Sequence, residues 1–109
     1  MRRCLCAVFL LCCGCQRGLY DWGTYEASVF KMYSSREDFS VGKEIDRLQR
    51  EVDRTHRRGR LAPPGKQAHL GYLYLMQGDS ERARCCFDLE KEQFPESQVF
   101  MDFLLERLQ

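Results

Sequence analysis

PPGKQAHLGYLYLMQGDSERARCCFDLEKEQFPES, residues 63–97, is the stretch whose reading decides the fold. From Gln67 to Gln77 it is apolar on nearly every face, through Ala68, Leu70, Tyr72, Leu73, Tyr74, Leu75 and Met76, which suits a helix with neighbours on both sides. Gly78 ends that helix in the manner of a C-terminal glycine. The next begins at Asp79 or Ser80, either of which can accept from free N–H groups of a first turn, and runs to Phe94 before Pro95. The spacing therefore predicts two antiparallel helices joined by a tight turn.

Within this stretch Leu70-Gly71, Tyr74, Ala83, Phe87 and Pro95 fall at the spacing of a tetratricopeptide (TPR) repeat, which the hairpin resembles. Gly71 and Ala83 are small where two helices would cross closely, and Leu70, Tyr74 and Phe87 would fill the groove beside them. Two positions depart from the pattern: Gln67 stands where the repeat has tryptophan, and Glu90 where it has an inner-face alanine.

Upstream, Arg60-Leu61-Ala62-Pro63-Pro64-Gly65 reads as a rigid elbow, because consecutive prolines stop one helix and fix the start of another. Before it Val41, Ile45, Leu48 and Val52 recur at i, i+4, i+7 and i+11, a narrow apolar seam on a helix. Ser34 and Ser35, with Glu37 and Asp38 three residues on, form overlapping capping boxes and predict where that helix starts. Earlier still, Tyr25, Val29 and Met32 or Tyr33 recur at helical spacing with Phe30 beside them, so a first helix is expected to bury one broad face. These two helices would make a hairpin packed ahead of the repeat-like one. Downstream, Glu96-Ser97 offers an N-cap, and Phe100, Phe103, Leu104 and Leu108 mark the apolar face of a final helix that would close the stack. The expected architecture is all-α: two TPR-like antiparallel hairpins plus a C-terminal capping helix, spanning residues 20–109.

The N-terminus belongs to another class. Arg2 and Arg3 precede an uncharged apolar run from Cys4 to Cys13, too short for a bilayer core that needs about 20 residues, so residues 1–14 read as a cleavable signal peptide. Leu11-Cys12-Cys13-Gly14-Cys15 resembles a bacterial lipobox, with Cys15 as the residue to be lipidated and Cys13 as the second candidate, since Cys12 stands where leucine is usual. That resemblance implies diacylglycerol and N-acyl chains on Cys15, a tether over residues 15–19, and a mature chain of net charge about −1 once Arg2 and Arg3 are removed. Acyl chains contribute about 0.8 kcal/mol per buried methylene, enough to hold the chain on a membrane. The residue after Cys15 is Gln16 rather than aspartate, which for such lipoproteins implies the periplasmic face of the outer membrane. Nucleic acid is no partner in that compartment.

Five of the seven cysteines lie in or beside the leader, and Cys85 and Cys86 are adjacent on one helix, so no disulfide framework is on offer. His56 and His69 stand on different helices without the Cys or His neighbours of a zinc site, no glycine-rich phosphate loop occurs, and no catalytic grouping rises above background. No metal and no cofactor beyond the acyl chains is expected. The second helix carries Lys43, Arg47, Arg50, Arg54, Arg57 and Arg58, with Arg60 just past it, against Glu44, Asp46, Glu51 and Asp53. Pairs such as Asp46 with Arg50 make most of this a solvated face. Its end, Arg54, Arg57, Arg58 and Arg60, has few acids beside it and is the candidate contact for lipid headgroups, cell-wall acids or an acidic partner.

Almost the whole mature chain also resembles the family of small bacterial TPR-like lipoproteins catalogued as DUF4810. The residues that carry it are Tyr20-Asp21-Trp22-Gly23 with Tyr25-Glu26, Pro63-Pro64-Gly65, Gly71-Tyr72-Leu73, Gly78, Phe87, Glu90-Lys91, Pro95-Glu96-Ser97 and Phe100-Met101. The resemblance implies an envelope lipoprotein, associated with other lipoproteins including ones similar to the curli secretion pore. Together with the repeat-like build it implies a non-catalytic adaptor that binds protein in a helical groove, with His69, Tyr72, Tyr74 and Arg84 as candidate lining residues. The alternative is a periplasmic accessory that meets a ligand or the cell wall through its arginine-rich end.

Overall fold

A computed structural model describes residues 20–34 and 39–108. The leader, Cys15 and its tether, and Ser35, Glu37 and Asp38 of the expected capping boxes lie outside the described residues. The chain is all-helical there, with five α-helices: α1 (Tyr25–Ser34), α2 (Val41–Arg57), α3 (Lys66–Met76), α4 (Ser80–Gln93) and α5 (Gln98–Glu106). A short 3₁₀ turn, Pro95–Ser97, leads into α5.

α3 and α4 pack against each other most extensively and form the central hairpin, to which α2 adds on the α3 side and α5 on the α4 side. The punctuation of the hairpin acts as its residues dictate. Gly78 adopts a left-handed φ of 83° that a side chain would strain, and the Asp79 carboxylate accepts from the Arg82 amide at 3.0 Å to cap α4. Gly71 is required by close approach: a Cβ there would lie 2.7 Å from Cε1 of Phe87, a side chain that is itself fully buried. Ile45, Leu48 and Val52 of α2, Leu70, Leu73 and Tyr74 of α3, Ala83, Cys86 and Phe87 of α4, and Met101 of α5 make one continuous core. Full burial of a side chain the size of Leu48 or Phe87 contributes about 1.5–3 kcal/mol.

Glu90, the departure from the repeat pattern, has a structural task. The N-cap of α3 is Gly65, which has no side chain to offer its first turn. Glu90 reaches across from α4, is only 2 % exposed, and its Oε1 accepts from the Gly65 amide at 2.6 Å. A carboxylate at the positive end of a helix thus replaces the missing cap from another element.

Four expectations are corrected. α1 buries its stripe only in part: Tyr25, Val29 and Met32 are half-buried, with Met32 against the core, whereas Phe30 is 72 % and Tyr33 76 % exposed, and the fully buried residue is Ser28. Nor do α1 and α2 close a well-packed hairpin; α1 is held by individual side chains instead. α2 begins at Val41, capped by Ser40, whose Oγ accepts from Lys43 N, while the Ser34 hydroxyl sits in the last turn of α1 and donates to the Phe30 carbonyl at 2.6 Å. In α5 the buried face turns on Met101, with Leu104, Leu105 and Leu108 half-buried against the core, whereas Phe100 and Phe103 stand outside. α1 and α5 are the outermost helices, so each has a neighbour on one side only, and periodicity does not say which part of a wide apolar arc meets it.

Candidate functional site

The clearest concave apolar surface lies where α1, the start of α2 and α3 meet. Met32 and Tyr33, Phe39 and Val41, and Tyr72 and Met76 line a groove of about 330 Å³. Tyr72 and Met76 are one helical turn apart on α3 and about half exposed, so they point together into the groove while Leu73 and Leu70 face the core. Among the described residues no charged side chain lines it. Such a surface can take an apolar segment of a partner, such as one face of an amphipathic helix, with the Tyr33 and Tyr72 phenols as its polar groups.

The four residues expected to line one groove do not converge. Tyr72 is in this groove. Tyr74, two residues on, points to the other side of α3, where it is 5 % exposed, donates to Gln49 Oε1 at 3.3 Å and lies beneath the Arg82 guanidinium. It lines a second depression, of about 500 Å³, with Val52, His56, Gln67, Cys85 and Leu89. Arg84 is half-buried and donates to the Leu108 carbonyl at 3.2 Å, which ties α4 to the end of α5. His69 is buried, 3.1 Å from the Ser28 hydroxyl and edge-on to the Tyr25 ring. Burial holds the imidazole below its usual range despite the opposing pull of Glu44. Ser28 is fully buried, so no substrate can reach its oxygen, and what the pair does is dock α1 on α3.

A polar clasp that the sequence reading missed fixes the start of the domain. Lys66, at the head of α3, is fully buried, and its Nζ lies 2.9 Å from Glu51 Oε2 of α2, a charge pair rather than a well-aligned hydrogen bond. Glu51 also accepts from the Thr24 amide and hydroxyl. Burial alone would raise the Glu51 carboxyl, but these donors and the Lys66 ammonium outweigh it and hold it below the usual carboxylate value. One residue group away, the Thr55 hydroxyl donates to Asp21 at 3.3 Å. No sequence signal marks Lys66: beside a proline elbow it has the look of a solvated helix start.

Arg54, Arg57, Arg58 and Arg60 are all exposed at the C-terminal end of α2. Their neighbourhood includes Gln93 at the end of α4, whose amide is 3.5 Å from His56. Cys85 is exposed and Cys86 buried, and burial, with Cys85 and Asp79 adding to it, pushes the Cys86 thiol up to about 12, which leaves it an unreactive core group. No group of His, Cys, Asp and Glu side chains placed to hold a metal ion occurs among the described residues, and no helix among them is long and apolar enough to cross a membrane.

Compared with known proteins, residues 19–104 match a domain of unknown function, DUF4810. No curated protein and no solved structure matches the chain.

Proposed function

We propose, since this chain belongs to the DUF4810 family, that it is a lipid-anchored adaptor of the bacterial envelope that binds a protein partner and catalyses nothing. In this reading Cys15 carries diacylglycerol and an N-acyl chain, residues 1–14 are removed, and Gln16 sends the product to the periplasmic face of the outer membrane. The partner is another envelope lipoprotein, of the kind that assembles around a curli-like secretion pore. The helices stack in the TPR manner, with α1 and α3 presenting the binding side.

The observation that supports this reading is the groove of Met32, Tyr33, Phe39, Val41, Tyr72 and Met76. Monomeric proteins leave single apolar side chains in water routinely, but a cluster that lines one concavity marks a place for another chain. The test is co-purification from solubilised envelopes with Tyr72→Ala and Met76→Ser introduced together. The partner bound by the parent chain is expected to be lost, and its capture from the parent should survive raised salt, since an apolar contact is barely screened. Unchanged capture by the double variant would remove the groove from the reading. Cys15→Ala should release the protein from the membrane fraction, and continued retention would refute the anchor.

A further inference from the structure

The described chain starts at one pole of the helical stack, and what surrounds that start is specific. Tyr20 packs edge-on against Phe94 at the end of α4, with ring centroids 5.8 Å apart, and against Trp22 at 6.4 Å. Asp21 accepts from Thr55 in the last turns of α2, and Glu51 holds Thr24. Residues 20–24 are therefore pinned beside the C-terminal end of α2. That same end exposes Arg54, Arg57 and Arg58, none of which has an ion-pair partner among the described residues. Of the acids on these segments only Glu51 is paired, with Lys66; Asp21 and Asp53 hydrogen-bond to the neutral Thr55 and Gln49 and keep their charge, and Glu92 and Glu96 are exposed at and just past the end of α4. Two apolar side chains of the segments that meet here are half exposed: Trp22, next to Asp21 and packed on Tyr20 and Tyr25, at 43 %, and Leu61, four residues past the end of α2, at 48 %.

We infer that this pole, Trp22 and Leu61 with Arg54, Arg57 and Arg58, is a docking surface for a bilayer carrying anionic headgroups, seated flat on the leaflet that holds the anchor. The inference rests on the acylation of Cys15 proposed above. Four residues separate Cys15 from Tyr20, and the five steps between the two reach about 17 Å at full extension. An anchored domain on so short a leash keeps the pole around Tyr20 within that distance of the headgroups, whatever its orientation. Guanidinium groups pair with phosphates, an indole favours the headgroup level, and Leu61 adds an apolar wedge. Each basic residue held at an anionic surface adds about 1 kcal/mol, roughly fivefold in partitioning, so the three arginines together are worth on the order of 100-fold.

Trp22 is the only tryptophan of the chain, so its fluorescence reads the pole directly. The acylated chain is reconstituted on vesicles of phosphatidylethanolamine with phosphatidylglycerol, and the Cys15→Ala chain is titrated with the same vesicles. On anionic vesicles the acylated chain should show a blue-shifted emission and a several-fold drop in quenching by acrylamide. Both effects should fade at high salt and on vesicles without phosphatidylglycerol. Cys15→Ala should bind anionic vesicles weakly, and Arg54→Glu, Arg57→Glu and Arg58→Glu together should abolish that binding while the helical circular dichroism is unchanged. Membrane-bound acylated chain with Trp22 as quenchable as in solution would overturn the inference and leave the anchor standing. Trp22 shielded in native envelopes but not on vesicles would mean that a protein covers the pole, which also overturns it. An unacylated Cys15 by intact mass would refute the anchor instead, and the Cys15→Ala titration would still decide whether the pole recognises anionic lipid.

Discussion

Replacing Glu90 tests the account of how α3 begins. The Glu90 Oε1 atom takes the Gly65 amide at 2.6 Å, and the amides of Gln67 and Ala68 face the same carboxylate, although Oε2 has no well-formed hydrogen bond of its own. Glu90→Ala removes the acceptor from a buried helix start that has no cap from its own sequence. Losing a hydrogen bond to a charged partner in such a place costs about 1.5–3 kcal/mol, and relief of a buried charge returns part of it, so about 2 kcal/mol is expected. For a domain of this size that lowers the melting temperature by about 8–16 °C. Glu90→Gln keeps a carbonyl oxygen for Gly65; it gives up the attraction between charge and helix start, about 0.3–1 kcal/mol, but also relieves the burial of that charge, so its midpoint should stay near the parent's and well above that of the alanine variant.

Thermal unfolding followed by far-UV circular dichroism at neutral pH separates the two substitutions. Acid provides a second check. Burial holds the Glu90 carboxyl above its ordinary 4.5 in spite of the three backbone amides. A group whose folded value is raised contributes fully below the unfolded value, and that contribution is lost as pH rises through the folded value. The parent should therefore gain on Glu90→Gln as pH falls from neutral toward 4.5. Equal midpoints for the alanine and glutamine variants, both close to the parent, would refute the cap.

At α5, Met101→Ala should cost about 2–4 kcal/mol in denaturant unfolding, because Met101 is 2 % exposed, whereas Phe100→Ser should change stability by less than about 1 kcal/mol. Gly71→Ala gains helix propensity of about 1 kcal/mol but drives a Cβ into Phe87, so a net loss of up to about 2 kcal/mol is expected, and Gly71→Val should fail to fold, as circular dichroism would show. His69 is held below its ordinary 6.5 by burial, so its contribution is complete above 6.5 and lost as pH falls through the folded value. The protection of α1 amides against hydrogen exchange, taken relative to the intrinsic rate at each pH, should fall first on acidification, and His69→Gln should remove that pH dependence while keeping a partner for Ser28.

How far the chain was legible follows from where each signal comes from. Gly78, Asp79 and Pro95 act on their own backbone, so the ends of α4 could be read from them, and the seam of Ile45, Leu48 and Val52 could be read because α2 has one narrow apolar stripe. DUF4810 membership was legible for the same reason, since motifs such as Tyr20-Asp21-Trp22-Gly23 are local. His69, Tyr72 and Tyr74 were grouped as one lining because aromatic and imidazole side chains suit a groove; their angular positions on α3 send them to three different surroundings.

By itself, then, the sequence determined an all-helical chain, the central hairpin with its turn, and the family. Only the tertiary structure decided that Ser28 rather than Phe30 is buried on α1, that Met101 rather than Phe100 anchors α5, and that Lys66 and Glu90 lie inside. The physical reason is range. Capping and periodicity act over three or four residues, whereas the partners of Lys66 and Glu90 are supplied by other helices, 15 and 25 positions away.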